Sequence, residues 1–197
     1  MTTIFLVRHA AHELLGRVLT GRIAGVRLGA EGLRQAGRLA ERLSREAISV
    51  VQTSPLERAR ETAEPIAARL GVPSTCNDAI TEIDYGDWSG VPFEALDEDP
   101  QWVSWNRAKA VHRPPRGESL LDVQWRAIGC IDSVAAEYPD TGAVLVSHSD
   151  VIKTILAYYL GLAIDGVARF EVSPASISTV VIGDWGAKVL SINEVPA

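Results

Sequence analysis

The chain has 197 residues, 47% of them hydrophobic and 22% charged, which suits one folded domain with a full core and argues against disorder. A net charge of −6 argues against non-specific nucleic-acid binding, and two cysteines, Cys76 and Cys130, are too few for a disulfide framework or a cysteine metal site. No secretory leader and no apolar run of membrane length is visible, so a reducing cytoplasm away from membranes is the expected setting.

Ile4-Phe5-Leu6-Val7 reads as a buried strand and delivers Arg8-His9 at its end. Residues 31–45 place Leu33, Ala36, Ala40 and Leu43 at helical spacing, which predicts an amphipathic helix covering that strand. Ser49–Thr53 reads as a second strand, and Ser54-Pro55 as the N-cap and first residue of a helix running through Arg58, Ala59, Ala63, Ile66 and Leu70 to Gly71. Pro65 is expected to kink or loosen that helix.

Residues from Glu82 to Arg116 hold Trp88, Trp102 and Trp105 among four prolines, with little periodicity. They read either as a lid-like excursion over an active-site mouth or as an irregular surface segment with its aromatics tucked into the core. A long helix is expected from Ser119, with Ser119 and Asp122 as a capping box and Leu121, Trp125, Ile128, Ile131 and Ala135 near one face. Ala143–Ser147 is a further apolar strand, ending on His148 before another helix. Ile177–Ile182 and Val189–Asn193, around Gly183-Asp184-Trp185-Gly186, predict a terminal hairpin. Alternating strands and helices give an α/β fold, a three-layer α/β/α sandwich on a mostly parallel mixed sheet, in one domain spanning 1–197.

Ligands of open α/β sheets bind beyond the carboxyl ends of strands. Arg8-His9 and His148 at two such ends therefore point to an anion. Planar guanidinium forks from Arg8 and Arg58, with the amides at a helix N-terminus, suit a phosphoryl group.

Leu6-Val7-Arg8-His9-Ala10 resembles the Arg-His-Gly signature of the histidine phosphatase superfamily, which includes the cofactor-dependent phosphoglycerate mutases. Ser54-Pro55-Leu56-Glu57-Arg58 resembles its second arginine motif, Glu82 with Tyr85-Gly86-Asp87-Trp88 its acid-bearing segment, and Gly117-Glu118-Ser119 and Val146-Ser147-His148-Ser149 its later motifs. The matches fall in family order along almost the whole chain. The resemblance implies a phosphoglycerate mutase-like fold, with His9 as the nucleophile of a phosphohistidine intermediate and Arg8, Arg58 and His148 stabilising the phosphoryl group. It implies Glu82 as the acid and base. Thr20 and Gly21 resemble the mutases' substrate-contacting pair, Tyr85 their substrate-side tyrosine, and Ser149 lies at the helix start beside the phosphate. His12, Arg113 and Arg116 are candidates for recognising the rest of the substrate, although His12 and His112 read equally as surface histidines.

The chain departs from the family at Ala10, where glycine is usual, at Ala11-His12-Glu13-Leu14-Leu15 and at Ser149-Asp150, where the mutases carry Gly-Asn. Ser149-Asp150, with a lid shorter than the mutases carry, favours a phosphatase over a phosphomutase, and the reading is a metal-independent phosphatase of small phosphorylated metabolites without a cofactor. A non-catalytic phosphoester or phosphoprotein binder would need only the cations. A metal hydrolase built on His9 and His12 is a further alternative, with i, i+3 spacing in a loop as its only signal. The expected partner is a small phosphorylated substrate, with no nucleic acid and no membrane, and the sequence leaves a homodimer open.

Overall fold

Along β1 (Thr2–Arg8) successive side chains face opposite ways, as a pleated strand requires, and both faces are apolar. Ile4 and Leu6 enter one core, whereas Phe5 and Val7 enter another. A strand buried on both faces belongs inside a covered sheet. The computed structural model, which describes residues 1–197, places it there.

The elements that follow β1 are α1 (Ala30–Leu43), β2 (Ile48–Thr53), α2 (Glu57–Leu70), β3 (Ser74–Cys76), α3 (Phe93–Leu96), α4 (Pro100–Arg107), α5 (Leu120–Glu137), β4 (Gly142–Ser147), α6 (Ser149–Tyr159), β5 (Ile177–Gly183) and β6 (Gly186–Glu194). The strand order is β3-β2-β4-β1-β5-β6. The first four of these are mutually parallel, and β5 and β6 form the antiparallel hairpin. Helices α1 and α2 pack on the face that carries Phe5 and Val7, and α5 and α6 on the face that carries Ile4 and Leu6. The result is the three-layer sandwich with a mixed sheet expected from the element pattern. No helix is long and apolar enough to cross a membrane.

Several local expectations change. Leu33 is 58% exposed, and the buried face of α1 is Gly32, Ala36, Leu39, Ala40 and Leu43. The rotation follows from Gly32, whose missing side chain lets the helix touch the loop after β1: a Cβ there would stand 2.0 Å from the Ala11 carbonyl oxygen. We expect Gly32→Ala to lower stability by about 1–3 kcal/mol through overpacking, read as a lower melting temperature. An unchanged melting temperature would contradict this close approach.

Trp125, at 81% exposed, and Leu121 lie outside the buried stripe of α5, which runs instead through Leu120, Val123, Ala127, Ile131 and Val134. The capping box at Ser119 and Asp122 is present with both bonds. Helix α2 runs unbroken through Pro65 and starts at Glu57, with Leu56 rather than Ser54 at the N-cap. The Ser54 hydroxyl is engaged elsewhere. Between Glu82 and Arg116, Trp88, Trp102 and Trp105 are buried and packed edge-on or stacked with one another. Two short helices, α3 and α4, lie in this segment. The second is announced by Asp99, which caps Gln101 N–H, and by Pro100.

Candidate active site

Strand register assembles the site. Arg8 pairs with Ser147 and Thr53 with Val146, so His9, Ser54 and His148 leave the same end of three neighbouring strands. Their exits are tied by backbone bonds, His9 N–H donating to Ser147 O and Ser54 N–H to Val146 O, both at 2.9 Å. The His9 and His148 rings lie 5.1 Å apart, and both side chains are buried.

Nδ1 of His9 is 2.9 Å from the Ala10 carbonyl oxygen. A carbonyl only accepts, so Nδ1 carries the proton and Nε2 keeps its lone pair. Burial, then the charges of Arg58 and Arg8, hold this imidazole well below the usual histidine range. It is therefore neutral near pH 7, with a lone pair on Nε2. Ala10 fits because its φ is not positive, and its N–H donates to Thr62 Oγ1 at 2.9 Å while that hydroxyl donates to Arg58 O at 2.7 Å. One threonine thus ties the loop after β1 to the helix that carries Arg58.

Arg58, in the first turn of α2, is fully buried. Its Nη2 donates to Gly21 O at 2.7 Å and lies 3.3 Å from His148 Nδ1, leaving Nε and Nη1 without a protein acceptor. Arg8 donates through Nη1 to Val172 O at 2.7 Å, and its buried Nε has no protein acceptor. Buried guanidinium donors with no partner cost free energy unless an anion takes them. Nε2 of His148 is 2.8 Å from Ser54 Oγ, which also accepts from Leu56 N–H at 3.4 Å. Burial, followed by Arg58 and His9, also holds His148 well below the usual range.

Glu82 is buried, with Oε2 3.7 Å from His148 Nδ1 and Oε1 accepting from Ile83 N–H at 3.0 Å. Burial, and next the charge of Asp150, raise its carboxyl to about 7 against the opposing pull of Arg58. Its main chain is fixed by Arg22, whose Nε donates to Glu82 O at 2.7 Å, and by Arg126 Nη2 at 3.3 Å. Glu118 binds both arginines, at 2.7 and 3.0 Å, and accepts from Asp84 N–H. Tyr85 is buried, and its hydroxyl donates to Asp150.

A cavity of about 350 Å³ opens over these groups. Arg8, His9, Glu82, Tyr85, Thr20, Gly21, Ser149 and His12 line it, while Arg58 and His148 lie fully buried behind its wall. His12 is therefore not a surface histidine, whereas His112 is exposed. Arg113 and Arg116 are not brought to the cavity: both are exposed, Arg113 paired with Asp122 and Arg116 with Asp87. Sequence reasoning missed Ser54, which its position before a helix disguised as a cap, and Asp150, visible only as a departure from Gly-Asn.

The family model of the histidine phosphatase superfamily (branch 1) matches residues 4–195. The bifunctional protein Rv2228c of Mycobacterium tuberculosis is 32% identical over 198 residues, and the match spans 98% of this chain but 54% of that protein, about half its length. Phosphoserine phosphatase 1 of Hydrogenobacter thermophilus is 31% identical over 98% of this chain and 92% of its own. The solved structure of Bacillus stearothermophilus YhfR superimposes with a TM-score of 0.92 at 27% identity, covering 99% of this chain and 98% of that one.

Proposed function

We propose, from the premise that this chain belongs to branch 1 of the histidine phosphatase superfamily, that it hydrolyses phosphomonoesters of small metabolites through a phosphohistidine at His9. The observation that carries the reading is the His9 ring itself. Its Nδ1–H is spent on Ala10 O, and its neighbours are two arginines that retain buried unpaired donors.

In the first step the Nε2 lone pair forms the N–P bond as the ester P–O bond breaks, and the protonated Glu82 carboxyl gives its proton to the departing alkoxide. Arg8, Arg58 and a His148 protonated in the presence of the phosphate dianion hold the charge on the equatorial oxygens. In the second step water loses a proton to the Glu82 carboxylate and attacks phosphorus. The N–P bond breaks, and phosphate leaves with His9 neutral again. Thr20, Gly21, Ser149 and Tyr85 border the space for the ester, and the segment from Glu82 to Arg116 supplies its cover. The phosphatase name of the Hydrogenobacter relative supports hydrolysis rather than return of the phosphoryl group to the same substrate.

Turnover of p-nitrophenyl phosphate by the wild type should persist in excess chelator, and an acid quench should trap acid-labile, base-stable phosphate on the protein. Turnover abolished by the chelator and restored by a metal ion would refute the reading.

A further inference from the structure

The cavity has an uneven charge distribution beyond the phosphoryl pocket. Arg8 is the one guanidinium in its wall, and its free donor belongs to the phosphoryl side. His12 adds no positive charge, because burial and then the charges of Arg58 and Arg8 push it down to about 4. The nearby lysines stand outside the wall, Lys153 facing Glu171 at 3.6 Å and Lys109 lying over the Trp105 ring within electrostatic reach of Asp150. What the wall does present is Asp150, in the first turn of α6, held by the Tyr85 hydroxyl. The remaining surface is largely apolar, from Leu15, Val18, Leu19 and Phe93.

We infer that this site selects phosphomonoesters whose alcohol portion is uncharged and largely apolar, and that Asp150 is the specificity-determining residue that turns away substrates with a second anionic group. The inference rests on the phosphatase reading above and names its substrate class. A carboxylate on the alcohol would share a partly desolvated space with Asp150, where Arg8 is the one cation in the wall and is directed to the phosphoryl group, and like charges brought together there are costly. An apolar alcohol instead covers Leu19 and Phe93 and displaces water from them. The first turn of a helix is also where a carboxylate is best accommodated, and the charges of Arg8 and Lys109 act on Asp150 as well.

The test compares kcat/KM for glycerol 3-phosphate and phenyl phosphate with that for 3-phosphoglycerate, in the wild type and in Asp150→Asn. Asparagine retains an acceptor for Tyr85. The wild type should favour the uncharged alcohols at least tenfold. In the variant, the ratio for 3-phosphoglycerate against glycerol 3-phosphate should rise about tenfold, whatever happens to the individual values. A wild type that hydrolyses 3-phosphoglycerate as well as glycerol 3-phosphate overturns the inference, as does a ratio that Asp150→Asn leaves unmoved. No hydrolysis of any ester, p-nitrophenyl phosphate included, would instead sink the phosphatase reading and take this inference with it.

Discussion

Replacing His9 with alanine should lower kcat for p-nitrophenyl phosphate by about 10,000-fold or more, roughly 5.5 kcal/mol of barrier. The size of the effect follows from the absence of any equivalent group in reach. Two other imidazoles lie nearby and neither is equivalent: His148 has its Nε2 engaged by Ser54 and its Nδ1 facing Arg58, and His12, whose ring is 5.4 Å from that of His9, stands outside the strand end that carries Arg8 and His9. The arginine donors would remain, so the variant should still bind phosphate. The acid-labile, base-stable phosphate trapped on the wild type should vanish from the variant. Because His9 is buried and neutral, alanine removes volume without stranding a charge, and a near-ultraviolet circular dichroism spectrum would verify that the fold persists. Substantial turnover by a folded His9→Ala protein, or label still trapped on it, would rule out His9 as the nucleophile.

The second large effect belongs to Glu82, and its signature is a dependence on the leaving group. Glu82→Gln cannot donate a proton, so kcat/KM for glycerol 3-phosphate, which reports only the steps through transfer to His9 and whose alkoxide is a poor leaving group, should fall about 100- to 10,000-fold. For p-nitrophenyl phosphate, whose phenolate leaves without help, the loss should be much smaller. The sign of the pH effect is set by the acid being required in its protonated form. With Glu82 raised to about 7 by burial and Asp150, against Arg58 and Arg8, saturating activity toward the alkyl ester should hold below pH 7 and decline as pH rises through it. His9, held well below its usual range, stays neutral over that window and contributes no loss there. Burial holds Tyr85 uncharged, and His148, protonated once the phosphate dianion is bound, would lose its proton on the same alkaline side, so the variant decides which of the two groups owns the limb. The limb should be absent from the residual activity of Glu82→Gln. An equal loss for both esters, or an unchanged limb in the variant, would remove Glu82 from the proton-transfer role.

The helix over 31–45 is present, but Leu33 and Gly32 exchange roles, because periodicity cannot anticipate a backbone contact with Ala11 that a side chain would block. Trp125 and Leu121 share the spacing of the buried stripe on α5 but sit one position around the helix, on a face that nothing in this chain covers. Strand β3 has three residues, all exposed, too short to show any alternation. In the aromatic segment, the apolar residues pack mainly on one another, so their spacing matches neither helix nor strand, and α3 and α4 are hidden inside it.

The sequence by itself determined the layered α/β architecture, since a strand such as Ile4–Val7 is apolar on both faces and the helices are apolar on one. The two histidines at strand ends and the arginine in a helix's first turn were likewise legible, because a charged or titratable residue at such a position follows directly from local pattern. Only the tertiary structure decided the rest. Strand register places His9 beside His148 and turns Ser54 from a helix cap into a histidine partner. Chain segments far apart in sequence bury Glu82 beneath Arg22, Arg126 and Glu118, leave Arg113 and Arg116 outside, and set Asp150 into the cavity wall. Charge, burial and protonation state depend on distances through space, and those distances exist only once the chain has folded.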